Sequence, residues 1–259
     1  MSKPLIFISN DDGIYAPGIK ALVEVAKEYG EVVVVAPDKP QSGQGHAVTI
    51  NEPLRLTKVD VFDGVKSWEC TGTPADSVKL AKDKILKGMN VDLVISGINH
   101  GSNASVNIIY SGTMSAAMEG ALEGLPSIGF SLDDYSHNAD FTVSKIYVGK
   151  VIELALKMND KKPYLLNVNI PNLKVNEIKG MKICRQSKGK WVEEFMESHD
   201  PRGVPYYWMT GKFENLEPDA TDTDLWAIKN GYVSIVPSSF DLTNYNNIHE
   251  LIFFENERF

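Results

Sequence analysis

Cysteine is nearly missing from this chain: there are two in 259 residues, Cys70 and Cys184, far apart and without a Cys-x-x-Cys pair. That excludes a disulfide framework and a cysteine zinc site, and it predicts two reduced, buried, inert thiols in a cytoplasmic protein. Basic residues are outnumbered, 26 Lys and Arg against 34 Asp and Glu, for a net charge of −8. Binding of a nucleic acid polymer or an acidic membrane across the whole surface is therefore not expected, although a local basic pocket remains open. No apolar run approaches the ~18 residues that a membrane span needs. The apolar start Leu5–Ile8 is too short for a signal peptide and no cleavage pattern follows it. Gly43-Gln44-Gly45 is followed by Val48 where a dinucleotide fingerprint needs its third glycine. P-loop and Gly-x-Ser-x-Gly motifs are also absent, as are repeats, low-complexity tracts and a clear linker.

What is present is a chain long enough, and at 43% hydrophobic apolar enough, for one large α/β domain. Leu5–Ile8 reads as a buried strand, and Pro17-Gly18 opens a helix to about Tyr29 with Ile19, Leu22, Val23, Val25 and Ala26 on one face. Val32–Val35 is a continuous β-branched run, as in a strand covered on both faces. Strand, helix, strand at this spacing is a βαβ unit. Short strands or edge pieces are expected at Ala47–Ile50, Leu54–Val59 and Lys66–Cys70. Thr73-Pro74-Ala75-Asp76 starts a helix to about Leu86, with Thr73 at the N-cap and Pro74 at the first helical position. A strand at Leu93–Ile95, a helix from Ser111 to about Gly124, a strand at Ser127–Ser131, a helix over Phe141–Met158 and a strand at Tyr164–Ile170 continue the alternation. The predicted fold is a doubly wound, mostly parallel, Rossmann-like sheet forming an α/β core over residues 1–185. Residues 186–219 interleave Trp191, Phe195, Tyr206, Tyr207, Trp208 and Phe213 with charged residues and read as a projecting hairpin or arm. A short helix at Asp222–Asn230, a returning strand at Val233–Val236 and an apolar tail, Leu251–Phe254, close the chain.

The chemistry gathers at the ends of strands. Asp11 and Asp12 follow the first one and lie on a turn closed by Gly13. Converging carboxylates about 4 Å apart repel by roughly 4 kcal/mol at an effective dielectric near 20. A divalent cation compensates most simply, and oxygen ligands suit Mg²⁺ or Mn²⁺. The competing reading is an Asx turn with both acids in water. Ser42 and Asn99 lie in polar, glycine-containing loops that also follow apolar strands, at the edge where open parallel sheets bind ligands, and could supply neutral oxygens. Ser111-Gly112-Thr113 begins a helix, whose free N–H groups suit a phosphate as well as they suit simple capping. His46 and His100 sit in these loops without metal-ligand spacing.

Read together, Ile8–Gly13 with Ala16-Pro17-Gly18, Ala36-Pro37-Asp38 with Gln41-Ser42-Gly43, Thr71–Asp76, and Ser96–Asn99 with Gly101 and Asn103 resemble successive motifs of the stationary-phase survival protein SurE family. Tyr110–Thr113, Ala116–Gly120, Asp222-Thr223-Asp224 and Gly231–Ser234 with Pro237 extend the resemblance. It implies a 5′-nucleotidase, a metal-dependent phosphomonoesterase acting on nucleoside 5′- and 3′-monophosphates through a metal-activated water, with exopolyphosphatase side activity. By matching positions it implies one divalent metal per subunit on Asp11, Asp12, Ser42 and Asn99, and phosphate contacts at Asn103, Ser111, Gly112 and Thr113. Asp11 and Asp12 are the catalytic pair, with Asp12 slightly favoured as the base. A homodimer or homotetramer is implied too, with residues 186–259 completing the core and forming the oligomer interface. A nucleotide-binding module without catalysis is the rival of another class, and the paired carboxylates speak against it.

Overall fold

The computed structural model describes residues 3–136, 138–158 and 163–256. In chain order the main elements are β1 (Leu5–Ser9), α1 (Pro17–Ala26), β2 (Glu31–Pro37), β3 (Leu56–Val59), β4 (Lys66–Cys70), α2 (Pro74–Lys84) and β5 (Leu93–His100). They continue with α3 (Asn107–Tyr110), α4 (Gly112–Leu122), β6 (Ser127–Asp133), α5 (Thr142–Lys157), β7 (Leu165–Pro171) and β8 (Gly180–Ile183). The last third holds β9 (Gly189–Val192), β10 (Phe195–His199), β11 (Pro205–Met209), β12 (Lys212–Asn215), α6 (Asp224–Lys229), β13 (Tyr232–Ser238) and α7 (Tyr245–Leu251).

Nine strands form one sheet in the order β3-β4-β2-β1-β5-β6-β7-β13-β8. Every pairing from β4 across to β7 is parallel, whereas β3 on β4 and β13 on β7 are antiparallel. The mostly parallel, doubly wound sheet expected from the βαβ pattern is therefore present. Alternation along β1 explains its two layers, since successive side chains of a strand leave on opposite faces. Ile6 and Ile8 pack with Leu22 of α1 and Val148 and Ile152 of α5, while Leu5 and Phe7 pack with Val78 of α2 and Ala116 of α4.

Three local readings are corrected. Ala47–Ile50 is not a strand, because its backbone groups bond to side chains instead of to a neighbouring strand. The Thr49 N–H donates to Asp76 at 3.1 Å, and the Ala47 carbonyl accepts from the Thr73 hydroxyl at 2.7 Å. The polar stretch after Ile95, expected as a loop, continues β5 as far as His100, with a register shift against β6 between Ser96 and Asn99. Helix α1 ends at Ala26, earlier than Tyr29. The aromatic region is two separate ribbons, β9 with β12 and β10 with β11. β13 then returns to lie between β7 and β8 in the main sheet.

Candidate active site

Asp11 enters the site because β1 runs buried from end to end and its turn carries the carboxylate over the carboxyl edge of the sheet. The residue is 3% exposed. Its backbone carbonyl accepts from the Gln41 N–H at 2.7 Å, which ties the turn to the loop bearing Ser42. One carboxylate oxygen accepts the Thr113 hydroxyl proton. Burial pushes the Asp11 carboxyl up to about 6, the Asp12 charge adds to that, and the Thr113 hydroxyl and backbone N–H work against it. Burial also raises Asp12, opposed by the His100 ring and by the His100 backbone N–H. The two acids thus repel inside a partly dry site, as expected of converging rather than solvated carboxylates.

The start of α4 is built against this pair. Ser111 is the N-cap, its hydroxyl oxygen accepting from the Met114 N–H at 3.0 Å. That leaves the Gly112 N–H and the Ser111 hydroxyl proton for a ligand, since the Thr113 N–H serves Asp11. Gly112 brings the helix close: a Cβ there would lie 2.6 Å from the Asp11 Cβ.

Asp11, Ser42, Asn99, Asn103 and Ser111 line one cleft of about 510 Å³. Asp12, Gly112 and Thr113 do not line it; Gly112 and Thr113 belong to the helix start packed on Asp11. Ser42 is exposed on its loop, and Asn99 donates its Nδ2 proton to the Gly101 carbonyl at 2.8 Å, so that its oxygen is the group left over. Asn103 is buried and held on three sides. It donates from Nδ2 to the Ser131 hydroxyl at 2.8 Å and from its backbone N–H to Asn169 Oδ1 at 2.7 Å, and its carbonyl accepts from Asn167 Nδ2 at 2.8 Å.

The donors fit a hard cation. Asp12 Oδ2 and Asn10 Oδ1 are buried without a hydrogen-bond partner, and a buried acceptor left so needs an explanation such as an ion. Among the described residues no three His, Cys, Asp or Glu converge as a metal cluster. The set is instead two carboxylates with neutral hydroxyl and amide oxygens, which suits Mg²⁺ or Mn²⁺ better than a softer metal.

Several supporting residues escaped the sequence reading. Glu119 of α4, 2% exposed, accepts from His46 Nε2 at 2.9 Å and from Lys79 Nζ at 2.6 Å. Burial alone would raise its carboxyl, and these two bonds hold it below the usual range. His46 follows Ser42 by four positions, and the Gly45 N–H donates to the Tyr110 carbonyl at 3.1 Å, so the Ser42 loop is fastened to α4 by the His46 clamp and to the end of α3 by Gly45. The fully buried Asp224 accepts backbone N–H groups of Ser105 at 2.8 Å and Ser187 at 3.0 Å, joining the Asn103 loop to the base of the arm. Asn167 and Asn169 did carry a signal, two amides at alternate positions of an otherwise apolar strand, which places both on one face.

A family model described as "Survival protein SurE" matches residues 6–193. The chain is 56% identical over 251 residues to "5'-nucleotidase SurE" of Cytophaga hutchinsonii, a span of 97% of this chain and 96% of that protein. It is 52% identical over 252 residues to the protein of the same name from Flavobacterium psychrophilum, covering 97% of each. The crystal structure of SurE from Aquifex aeolicus superposes with a TM-score of 0.83 at 43% identity, over 97% of this chain and all of that one. With the motifs, the sheet and these matches in agreement, the chain belongs to the SurE survival protein family.

Proposed function

We propose that this protein is a 5′-nucleotidase, a metal-dependent hydrolase that splits nucleoside monophosphates into nucleoside and phosphate. The observation that carries the reading is the buried Asp11 beside Asp12, with a helix N-terminus packed against the same carboxylate. Anion binding alone gives no reason to put two negative charges there. Relatives that cover nearly the whole chain bear the name 5′-nucleotidase.

Asp11, Asp12, Ser42 and Asn99 are the residues that would hold one Mg²⁺ or Mn²⁺ per subunit. When bound, the cation offsets phosphate charge and makes water a better nucleophile at neutral pH. The rest falls to the chain. The Gly112 N–H, the Ser111 hydroxyl and the second Nδ2 proton of Asn103 receive the phosphate oxygens, where charge grows during phosphoryl transfer. Thr113 fixes the orientation of Asp11. Asp12, the second acid of the pair, is our choice to accept the proton of the attacking water.

The test is phosphate release from 5′- and 3′-nucleoside monophosphates and short polyphosphate with Mg²⁺ or Mn²⁺, against a chelator. Metal-dependent release is expected, fastest from nucleotides. A folded protein from which neither Mg²⁺ nor Mn²⁺ elicits any phosphate release overturns the reading and leaves a nucleotide-binding module. The His46 clamp makes a further prediction. His46→Ala is expected to raise the cation concentration for half-maximal rate about tenfold, the scale of an outer support to a metal site. His46→Gln keeps a donor toward Glu119 and is expected to recover most of that loss. Activity titrated against cation reads both.

Outside the site, Leu242, Tyr245, Ile248, Phe253 and Phe254 form an exposed apolar C-terminal segment, with Tyr207 and Trp208 exposed on the arm. We assign these surfaces to contacts between copies, in a dimer or tetramer, which sedimentation would read. No helix among the described residues is long and apolar enough to cross a membrane. Cys70 and Cys184 are free and buried. Our assignment of the protein to the cytoplasm rests on those thiols.

A further inference from the structure

A phosphoryl group accounts for only part of a cleft of about 510 Å³, a size typical of sites for whole small molecules. Tyr110, Tyr135, Trp191 and Met209 line the rest of it together with Glu194 and Thr210, and no Lys or Arg among the described residues lines the cleft. A second cleft of about 780 Å³ adjoins it, with Tyr135 and Trp191 among the residues common to both. The two rings stand where the two clefts meet. A wall without cations does not favour a second phosphate. It favours a flat, neutral group.

Both rings are held before anything binds. Trp191 donates its indole N–H to Asn107 Oδ1 at 3.0 Å and meets Phe213 edge to face at 5.7 Å. Its one polar atom is committed, so what it offers a ligand is apolar surface. Tyr135 is 70% exposed, yet its ring rests on the backbone of Gly101, where an added Cβ would lie 2.3 Å from Cε1. Gly101 also has a φ of +97°, so a side chain is unfavourable there on two counts. Rings fixed in this way order little on binding, which is how aromatic side chains give contact at low entropic cost.

We propose that Tyr135 and Trp191 form the seat of the nucleobase, and that the arm strand β9 thereby selects nucleotides over other phosphate monoesters. The inference rests on the nucleotidase reading of the same cleft. The N–H and hydroxyl donors of Asn103 and the start of α4 meet the phosphate end, and the two rings meet the base. The same wall makes a polyphosphate chain a weaker substrate than a nucleotide.

The experiment is the ratio of kcat/KM for adenosine 5′-monophosphate to that for ribose 5-phosphate, which carries the same phosphate and sugar without a base. In the wild type the ratio is expected to be well above one. Trp191→Ala and Tyr135→Ala are each expected to lower it about 5- to 100-fold, the range of one base–aromatic stack. Trp191→Phe is expected to retain much of it. Should Trp191→Ala fail to fold, Tyr135→Ala on the β6 side of the cleft carries the test. A ratio near one in an active wild type, or an unchanged ratio in Tyr135→Ala, overturns the base seat alone. Phosphate release from neither compound overturns the nucleotidase reading and the seat with it.

Discussion

Asp11→Asn is expected to lower phosphate release by about 10³-fold or more, and at the same time to make the metal-free protein harder to unfold at neutral pH. The first effect follows from the loss of one of two anionic oxygen donors. Charge stabilisation by a cation is worth several kcal/mol, and each ~1.4 kcal/mol is a factor of ten in rate. The second follows from burial. The Asp11 carboxyl is raised from 3.8 to about 6 in the folded protein. Below about pH 4 both folded and unfolded states hold the proton, and Asp11 has no effect. Between about pH 4 and 6 the unfolded chain releases it first, so folding loses stability as pH rises. Above about 6 the penalty is complete, on the order of 2–3 kcal/mol. Asparagine keeps an acceptor for Thr113 and removes the charge. The melting temperature of the variant should therefore exceed that of the wild type at pH 7.5 in chelator, and the gap should close toward pH 4. Adding Mg²⁺ or Mn²⁺ should reverse the order at pH 7.5, because only the wild type gains from the ion. A variant that melts lower than the wild type in chelator at pH 7.5 would contradict the account of a strained, buried carboxylate.

Gly112→Ala is the second large effect, expected at about 10²-fold or more in kcat with the fold intact. Nothing in its position forbids a helix: it is the first residue of α4, and alanine is the better helix former by about 1 kcal/mol. The obstacle is the contact. The new Cβ would meet Asp11 Cβ at 2.6 Å, Oδ2 at 2.9 Å and Cγ at 3.1 Å. Either the turn after β1 or the start of α4 must then move, and both carry reacting groups. Misplacement by about 1 Å costs on the order of 10²-fold. Thermal melting separates this from unfolding. An active Gly112→Ala would mean that the close approach of helix and carboxylate is not needed.

These two substitutions lie on features that are unequally visible in the amino-acid order. Asp11 is visible because a short apolar run followed by two acids and a glycine can hardly be anything but a strand ending in a turn. Gly112 is visible as part of a helix start, but the direction in which that start points comes only from α4 packing across β1 and β5. Ser96, Gly97 and Asn99 have the composition of a loop and hide the continuation of β5 past Ile95, while the hydrogen bonds to β6 resume beyond the irregularity. Ala47–Ile50 has the apolar, β-branched residues of a strand, and the side chains of Thr73 and Asp76 take its backbone groups instead. Glu119 is an acid on a helix to any local rule. Its partners, His46 and Lys79, are 73 and 40 residues away, and contacts at that separation leave no periodic trace.

The place of β13 in the sheet has a consequence for how this protein is made. Its strand leaves the ribosome after β7 and β8, both of which precede it by more than 45 residues, yet it lies between them. Until Tyr232–Ser238 emerges, β7 presents an unpaired edge, and β8 has no neighbour at all in the main sheet. The two aromatic ribbons are synthesised during that interval. A growing chain in this condition carries an open strand edge and exposed aromatic side chains together, the two features that most invite wrong pairing between nascent chains. Synthesis rate through residues 184–231 then sets how long that open edge and those aromatic side chains stay exposed together.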